Sequence, residues 1–336
     1  MKRVFVHGIG CVSPAGWGME DFRAALARGA ALPISQLRPP GNARPLPYRL
    51  VPPLKAKQPF LSHPRLRRAS PLSVFAASAV CQALGECPRA NRRLAVVFCV
   101  TGGCVQFSRR FYDETWRNAA TASPLVFPET VFNAPASHLS ALLESTTVNY
   151  TYVGDPATVL QALATAADWI TDGRVEDCLV VGAEENDWLT AGAWRHFTRA
   201  TVCAEGAGAI LLSAEPASVE LEAVSDARLY LTETERVRAV ADARSEVLPR
   251  GADALLCDSR TGVPARDRAE DTAWQDWAGP RLSPKTLLGE GLAAGAAWQC
   301  VAAIDALLRG QSQTAVVSVA GAHEQAAAAR FRRTPA

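Results

Sequence analysis

Leu94-Ala95-Val96-Val97-Phe98-Cys99-Val100 is an apolar run with no polar break, rich in β-branched and aromatic residues. A strand with one wet face alternates apolar and polar residues, so an unbroken run marks a strand buried on both faces. Apolar runs recur at 178–181, 209–212, 254–257 and 315–319, the last broken only by Ser318, and 219–223 reads as a further strand that carries Glu220 and Glu222. Between them, apolar residues fall at helical spacing over 19–28, 71–84, 156–170 and 291–308. Buried strands alternating with helices predict an α/β fold. At the front, residues 3–7 read as a first strand, and Gly8-Ile9-Gly10 predicts a turn toward the 19–28 helix. Residues 32–65, rich in proline and arginine, predict an irregular surface excursion.

The chain has 336 residues, of which 49% are hydrophobic and 20% charged. That is enough apolar material for a sizeable core and excludes a disordered chain. A net charge of +2 is near balance, so no broad nucleic-acid footprint is expected. No stretch reaches the roughly 20 apolar residues that span a bilayer, so no membrane partner is expected either. Gly8, Gly10 and Pro14 break the apolar run after Met1-Lys2-Arg3, which predicts a first strand of a cytoplasmic protein and not a signal segment. Nine cysteines at irregular spacing, several inside apolar runs, fit buried free thiols in a reducing compartment. Cys99 and Cys104 lack a second Cys/His pair at zinc spacing, so no metal and no cofactor are expected.

Several segments, in order, carry a family pattern. Val4-Phe5-Val6-His7-Gly8-Ile9-Gly10-Cys11-Val12-Ser13-Pro14-Ala15-Gly16 matches V-x-x-x-G-x-G-x-x-S-P-x-G. Ser123-Pro124 through Asn133-Ala134 and His138 matches S-P-x-x-x-P-x-x-x-x-N-x-x-x-x-H. Asp172-Gly173 through Gly182-Ala183-Glu184 is similar to a G-x-x-D-x-x-x-x-G-G-A-E stretch, and Ala204-Glu205-Gly206-Ala207-Gly208-Ala209 to G-E-G-A-G-A. Lys285 to Gly289, followed by Leu292-Ala293-Ala294-Gly295-Ala296, matches K-x-x-x-G-H-x-x-G-A-A-G-A without its His. Each motif alone is weak; their order over nearly the whole chain is specific. On them the chain resembles the β-ketoacyl synthases of the thiolase superfamily. The resemblance implies a duplicated thiolase fold in five layers, αβαβα, with halves at 1–215 and 216–336, the second shortened. It also implies a dimer joined edge to edge through a central strand.

Ketosynthase chemistry needs a Cys thiolate to accept the acyl chain and two His side chains to stabilise the developing anion. The resemblance places the Cys of T-A-C-x-S-G at Pro156, within about one residue; the neighbours Asp155 and Ala157 offer no thiol. A two-residue slip reaches Thr158, with nothing nearby to activate it. The first His falls on Asp258 and the second on Glu290, where a carboxylate would repel an oxyanion. His7, His63, His138, His196 and His323 lie off the catalytic positions, and Lys285 reads as a structural ion-pair partner.

This pattern resembles the chain-length factors of type II polyketide synthases, which are degenerate ketosynthases that pair with an intact one. The resemblance implies an active ketosynthase and an acyl carrier protein as partners, and a steric role in ending the acyl tunnel. It places Phe107, Phe111, Tyr112, Trp116, Leu125, Phe127 and Phe132 near the interface and tunnel floor. Two features depart from the aromatic-polyketide members: Pro or Asp stands where they carry Gln, and the chain is shorter, which suits a polyene-type system. Arg65, Arg67 and Arg68, and the tail Arg330, Arg332 and Arg333, are candidate contacts for the acidic carrier. Two other readings are an enzyme using Asp258 and Glu290 as an acid/base pair, and a homodimeric acyl-binding scaffold.

Overall fold

The computed structural model describes residues 3–41, 44–55, 58–85, 93–249 and 253–334. The chain begins with β1 (Val4–Val12), α1 (Met19–Arg28), β2 (Ser35–Leu37), β3 (Leu46–Arg49), α2 (Pro71–Leu84) and β4 (Leu94–Val100). Next come α3 (Val105–Asn118), α4 (Ala134–Leu142), β5 (Asn149–Val153), α5 (Thr158–Thr171) and β6 (Asp177–Glu184). They are followed by α6 (Trp188–Phe197), β7 (Cys203–Ala204), β8 (Gly206–Ser213), β9 (Val219–Val224) and β10 (Arg228–Leu229). The remainder is α7 (Glu233–Val247), β11 (Ala254–Cys257), α8 (Pro264–Ala273), β12 (Arg281–Leu282) and α9 (Pro284–Leu288). It closes with α10 (Leu292–Leu308), β13 (Thr314–Ala320) and β14 (Gln325–Arg333).

Eleven strands form one sheet in the order β12-β11-β13-β14-β9-β1-β8-β6-β4-β5, with β10 on β14. Its two ends repeat one plan. β5, β4 and β6 run parallel, and β8 and then β1 alternate antiparallel. β12, β11 and β13 likewise run parallel, and β14 and then β9 alternate antiparallel. The two units join where β1 meets β9, Val4 opposite Leu221 and Phe5 opposite Glu220.

Three apolar clusters define five layers. One cluster packs α2 and α4 on the outer face of the first unit. Another packs α7 and α8 on the outer face of the second. The largest lies between them and wraps α5 and α10 with strands of both units. Helix α10 is buried from Leu292 to Leu307, and its small residues let the sheet close on it. A Cβ at Gly182 would sit 2.5 Å from the Ala293 carbonyl oxygen, and one at Gly208 2.8 Å from Ala297 Cβ. The expected five-layered α/β architecture is the one observed.

Local departures have physical causes. Gly8-Ile9-Gly10 does not turn the chain; β1 runs through it to Val12. The glycines are there because α2 lies on the strand: a Cβ at Gly8 or Gly10 would come within 1.8 or 1.9 Å of the carbonyl oxygens of Ala83 and Ala79. The 32–65 segment is not all surface. It contributes β3, which pairs with β7, and fully buries Tyr48. Helix α5 starts at Thr158, two residues after the expected start, because Asp155, Pro156 and Ala157 form the turn that leads into it.

Candidate functional site

The turn between β5 and α5 holds the position where the family resemblance puts its nucleophile. Gly154 donates its N–H to the Val100 carbonyl at 3.1 Å, which ends the strand, and Thr158 caps the turn through its N–H and hydroxyl on the Asp155 carbonyl, both at 2.8 Å. Pro156 is buried and brings neither thiol nor hydroxyl. Asp155 beside it is buried as well. Its carboxylate accepts the backbone N–H groups of Ala322, His323, Glu324 and Gln325 at 2.7 to 3.0 Å.

Asp258 follows β11 and is fully buried. Its Oδ1 accepts the Ser283 hydroxyl at 2.6 Å and the Arg260 N–H at 3.3 Å, and Arg281 lies 3.8 Å from Oδ2. Burial raises the Asp258 carboxyl above its ordinary range, against those contacts. Close by, Glu270 accepts the Ser259 and Ser318 hydroxyls, and burial, then the Asp258 charge, push it up to about 7. Glu290 lies between Gly289 and α10. Lys285 Nζ sits 3.2 Å from both of its carboxylate oxygens, and Oε1 also accepts the Leu292 N–H at 2.8 Å. Lys285 and Glu290 pack against Gly295, where a Cβ would lie 3.1 Å from Lys285 Cε. Glu290 is therefore tied through both carboxylate oxygens, whereas Asp258 is tied through Oδ1 and its buried Oδ2 has no hydrogen-bond partner among the described residues, with Arg281 at 3.8 Å. An acid/base pair needs groups that reach a substrate.

Glu184, Glu185 and Glu205 are buried carboxylates, two of them in the quoted motifs, for which the sequence suggested no role. Glu184 receives the N–H groups of Thr101 and Gly102, Glu185 those of Leu72 and Gln106, and Glu205 the Tyr48 hydroxyl and the Val51 N–H. They tie loops to strand ends. Burial pushes Glu184 up to about 8 and Glu185 to about 7. Among the described residues no group of three or more His, Cys, Asp or Glu side chains could hold a metal ion. No described helix is long and apolar enough to cross a membrane.

The seven apolar candidates lie on one side of the first unit. Helix α3 buries none of its residues. Phe107 and Phe111 are half-buried, whereas Tyr112, Trp116 (80% exposed), Leu125, Phe127 and Phe132 are exposed. Phe111 and Phe127 meet at 5.4 Å between ring centroids, Tyr112 stacks on Trp116 at 6.1 Å, and Phe132 covers Gly103. Strand β5, at the end of the main sheet, exposes Tyr150 and Val153. These exposed apolar side chains make this side a candidate interaction surface.

Arg65, Arg67 and Arg68 are exposed on a single-turn helix, Pro64–Arg68. The other basic candidate needs correction. Arg330 and Arg332 are not a free tail but part of β14, paired with Glu222 and Glu220, because they lie opposite β9 in the sheet. His138 is buried and pairs with Glu129 at 2.8 Å.

No protein-family model matches the chain, and no curated protein matches its sequence. Solved structures do match it over its whole length. The ishigamide ketosynthase/chain length factor superposes with a TM-score of 0.80 at 23% identity, covering 99% of this chain and 100% of that one. A β-ketoacyl synthase from Burkholderia phymatum STM815 gives 0.84 at 18% identity, covering 100% of both chains. A ketosynthase in complex with its chain length factor from Xenorhabdus doucetiae gives 0.82 at 14% identity, covering 99% and 98%. This chain has the duplicated, five-layered thiolase fold of the ketosynthases and chain length factors.

Proposed function

We propose that this chain is the non-catalytic chain-length factor of a type II polyketide synthase, working in the cytoplasm beside an active ketosynthase. One observation carries the reading: the three positions to which the family resemblance assigns a thiol and two imidazoles hold Pro156, Asp258 and Glu290, and both carboxylates have internal partners. The names of the similar structures, one a ketosynthase/chain length factor and one a ketosynthase with its chain length factor, support pairing of this kind. So does the exposed apolar side formed by α3, residues 125–132 and β5.

In this reading residues 1–215 and 216–336 are the two thiolase-like halves, and β5 adds to the partner's sheet. The aromatics around α3 close the partner's acyl tunnel, and Arg65, Arg67 and Arg68 meet the acidic carrier protein that brings the growing chain. The limit on chain length is steric: a filled tunnel end leaves no volume for another unit. Replacing Phe107, Phe111, Phe127 or Phe132 by Gly, singly and in pairs, is expected to lengthen the product by one or more extension units. The measurement is product mass from the reconstituted pair with carrier protein. Unchanged product length across the whole set would remove the steric limit.

A further inference from the structure

The turn between β13 and β14 directs four consecutive backbone N–H groups at one carboxylate. The Ala322 nitrogen lies 2.7 Å from Asp155 Oδ1, and those of His323, Glu324 and Gln325 lie 3.0, 2.7 and 3.0 Å from Oδ2. Successive amides curled around a point form a concave anion site, and an ionised acceptor strengthens each bond roughly twofold over a neutral one. Groups other than Asp155 hold the turn in shape. The Gly321 carbonyl accepts the Tyr230 hydroxyl at 2.8 Å and Arg236 Nη2 at 3.3 Å. The Ala322 carbonyl accepts Arg266 Nη2 at 3.1 Å, and the Gly321 N–H closes the turn on the Gln325 carbonyl at 2.8 Å. With its carbonyls tethered outward, the turn keeps its amides aimed inward. The fit is tight: a Cβ at Gly321 would come within 2.3 Å of Asp155 Oδ1.

We infer that residues 322–325 form a carboxylate-binding anion site that the chain fills with its own Asp155. Acyl transfer needs converging N–H donors where negative charge develops. Here such donors stand beside the residue next to Pro156, and all four are already occupied. Substitutions that restore a thiol at 156 alone would leave these donors blocked. The inference rests on this chain by itself and does not depend on the proposed partner.

The test is thermal unfolding of full-length Asp155→Ala in sodium formate, with sodium chloride at equal ionic strength and the unsubstituted chain as controls. The substitution is expected to lower Tm by about 5 °C or more, given roughly 2 °C per kcal/mol in a chain of this size. Formate should then restore several degrees in a saturating manner, with no matching rise in the unsubstituted chain. A lowered Tm that formate does not raise would overturn the anion site, and equal recovery in chloride would overturn its carboxylate class. Should Asp155→Ala not fold, amide exchange in Asp155→Asn gives a second reading. The amides of 322–325 are expected to exchange at least about tenfold faster than in the unsubstituted chain, since the opposed amide accepts fewer of them. Unchanged protection would contradict the inference.

Discussion

Replacing Thr151 by proline is expected to abolish pairing with a ketosynthase while leaving the isolated chain folded. Among the described residues β5 pairs only with β4, and its other edge is the end of the sheet. The Val148 carbonyl accepts from Val96, and the Gly154 N–H reaches the Val100 carbonyl. Even-numbered residues therefore face β4, and 149, 151 and 153 face outward by the strand's alternation. Proline at 151 removes an N–H that β4 does not use, the edge setting in which proline is tolerated. A strand added there relies on main-chain hydrogen bonds for its affinity and would lose a bond and meet the ring. The expected weakening is at least about 100-fold in Kd, or roughly 2.7 kcal/mol, read by sedimentation of the mixed subunits. Tyr152→Pro is the contrast: it cuts the β4 ladder and should destabilise the chain itself by about 1–3 kcal/mol, the cost of an acceptor left unpaired. Full pairing by Thr151→Pro would show that β5 is not the joining edge.

The largest loss of stability is expected from Lys285→Met. The side chains of Lys285 and Glu290 are 1% and 4% exposed, so the ammonium is the counter-charge of a carboxylate that water does not reach. Removing one member of such a pair strands the other, at a cost of about 3–5 kcal/mol. The damage should spread to the start of α10, because Glu290 also accepts the Leu292 N–H and bridges to Val202 and Ala204 through its backbone. Leu292 sits there at φ +49°, a strained value for a branched side chain. Lys285→Met with Glu290→Gln should recover most of the loss, since two neutral side chains need no counter-charge. Denaturant titration of the single and double variants measures the coupling. Additive losses would mean that the two side chains do not stabilise each other.

The fold was legible where burial dominates. The apolar runs became β4, β6, β8, β11 and β13, because a strand covered on both faces has few polar positions to interrupt it, whereas β9 carries Glu220 and Glu222 and is only partly covered. Elements governed by context were hidden. Strand β5 reads Asn-Tyr-Thr-Tyr-Val with mixed polarity, as an edge strand with a partly open face does. Strand β14 carries four consecutive alanines after Gln325, which favour helix in isolation; pairing with β13 and β9 overrides that preference. Helix α7 starts at a capping box of Thr232 and Glu235, a start signal that its four-residue spacing carries in the sequence.

The site divides in the same way. Pro156, Asp258 and Glu290 could be singled out from motif positions, whereas the helix that carries Phe107, Phe111, Tyr112 and Trp116 was not among the predicted elements. Only the family resemblance pointed these aromatics toward an interface, because by itself an apolar stripe looks the same whether it meets its own core or another chain. The partners of Asp155 could not be read, because they lie 167 to 170 residues away and are backbone groups with no side-chain signature.

The most direct test of the central claim is isolation of the tagged chain from its native host, with the intact mass and stoichiometry of whatever accompanies it. The account predicts a one-to-one complex with a ketosynthase that retains a Cys nucleophile and two catalytic His. A stable homodimer with no such partner would contradict it.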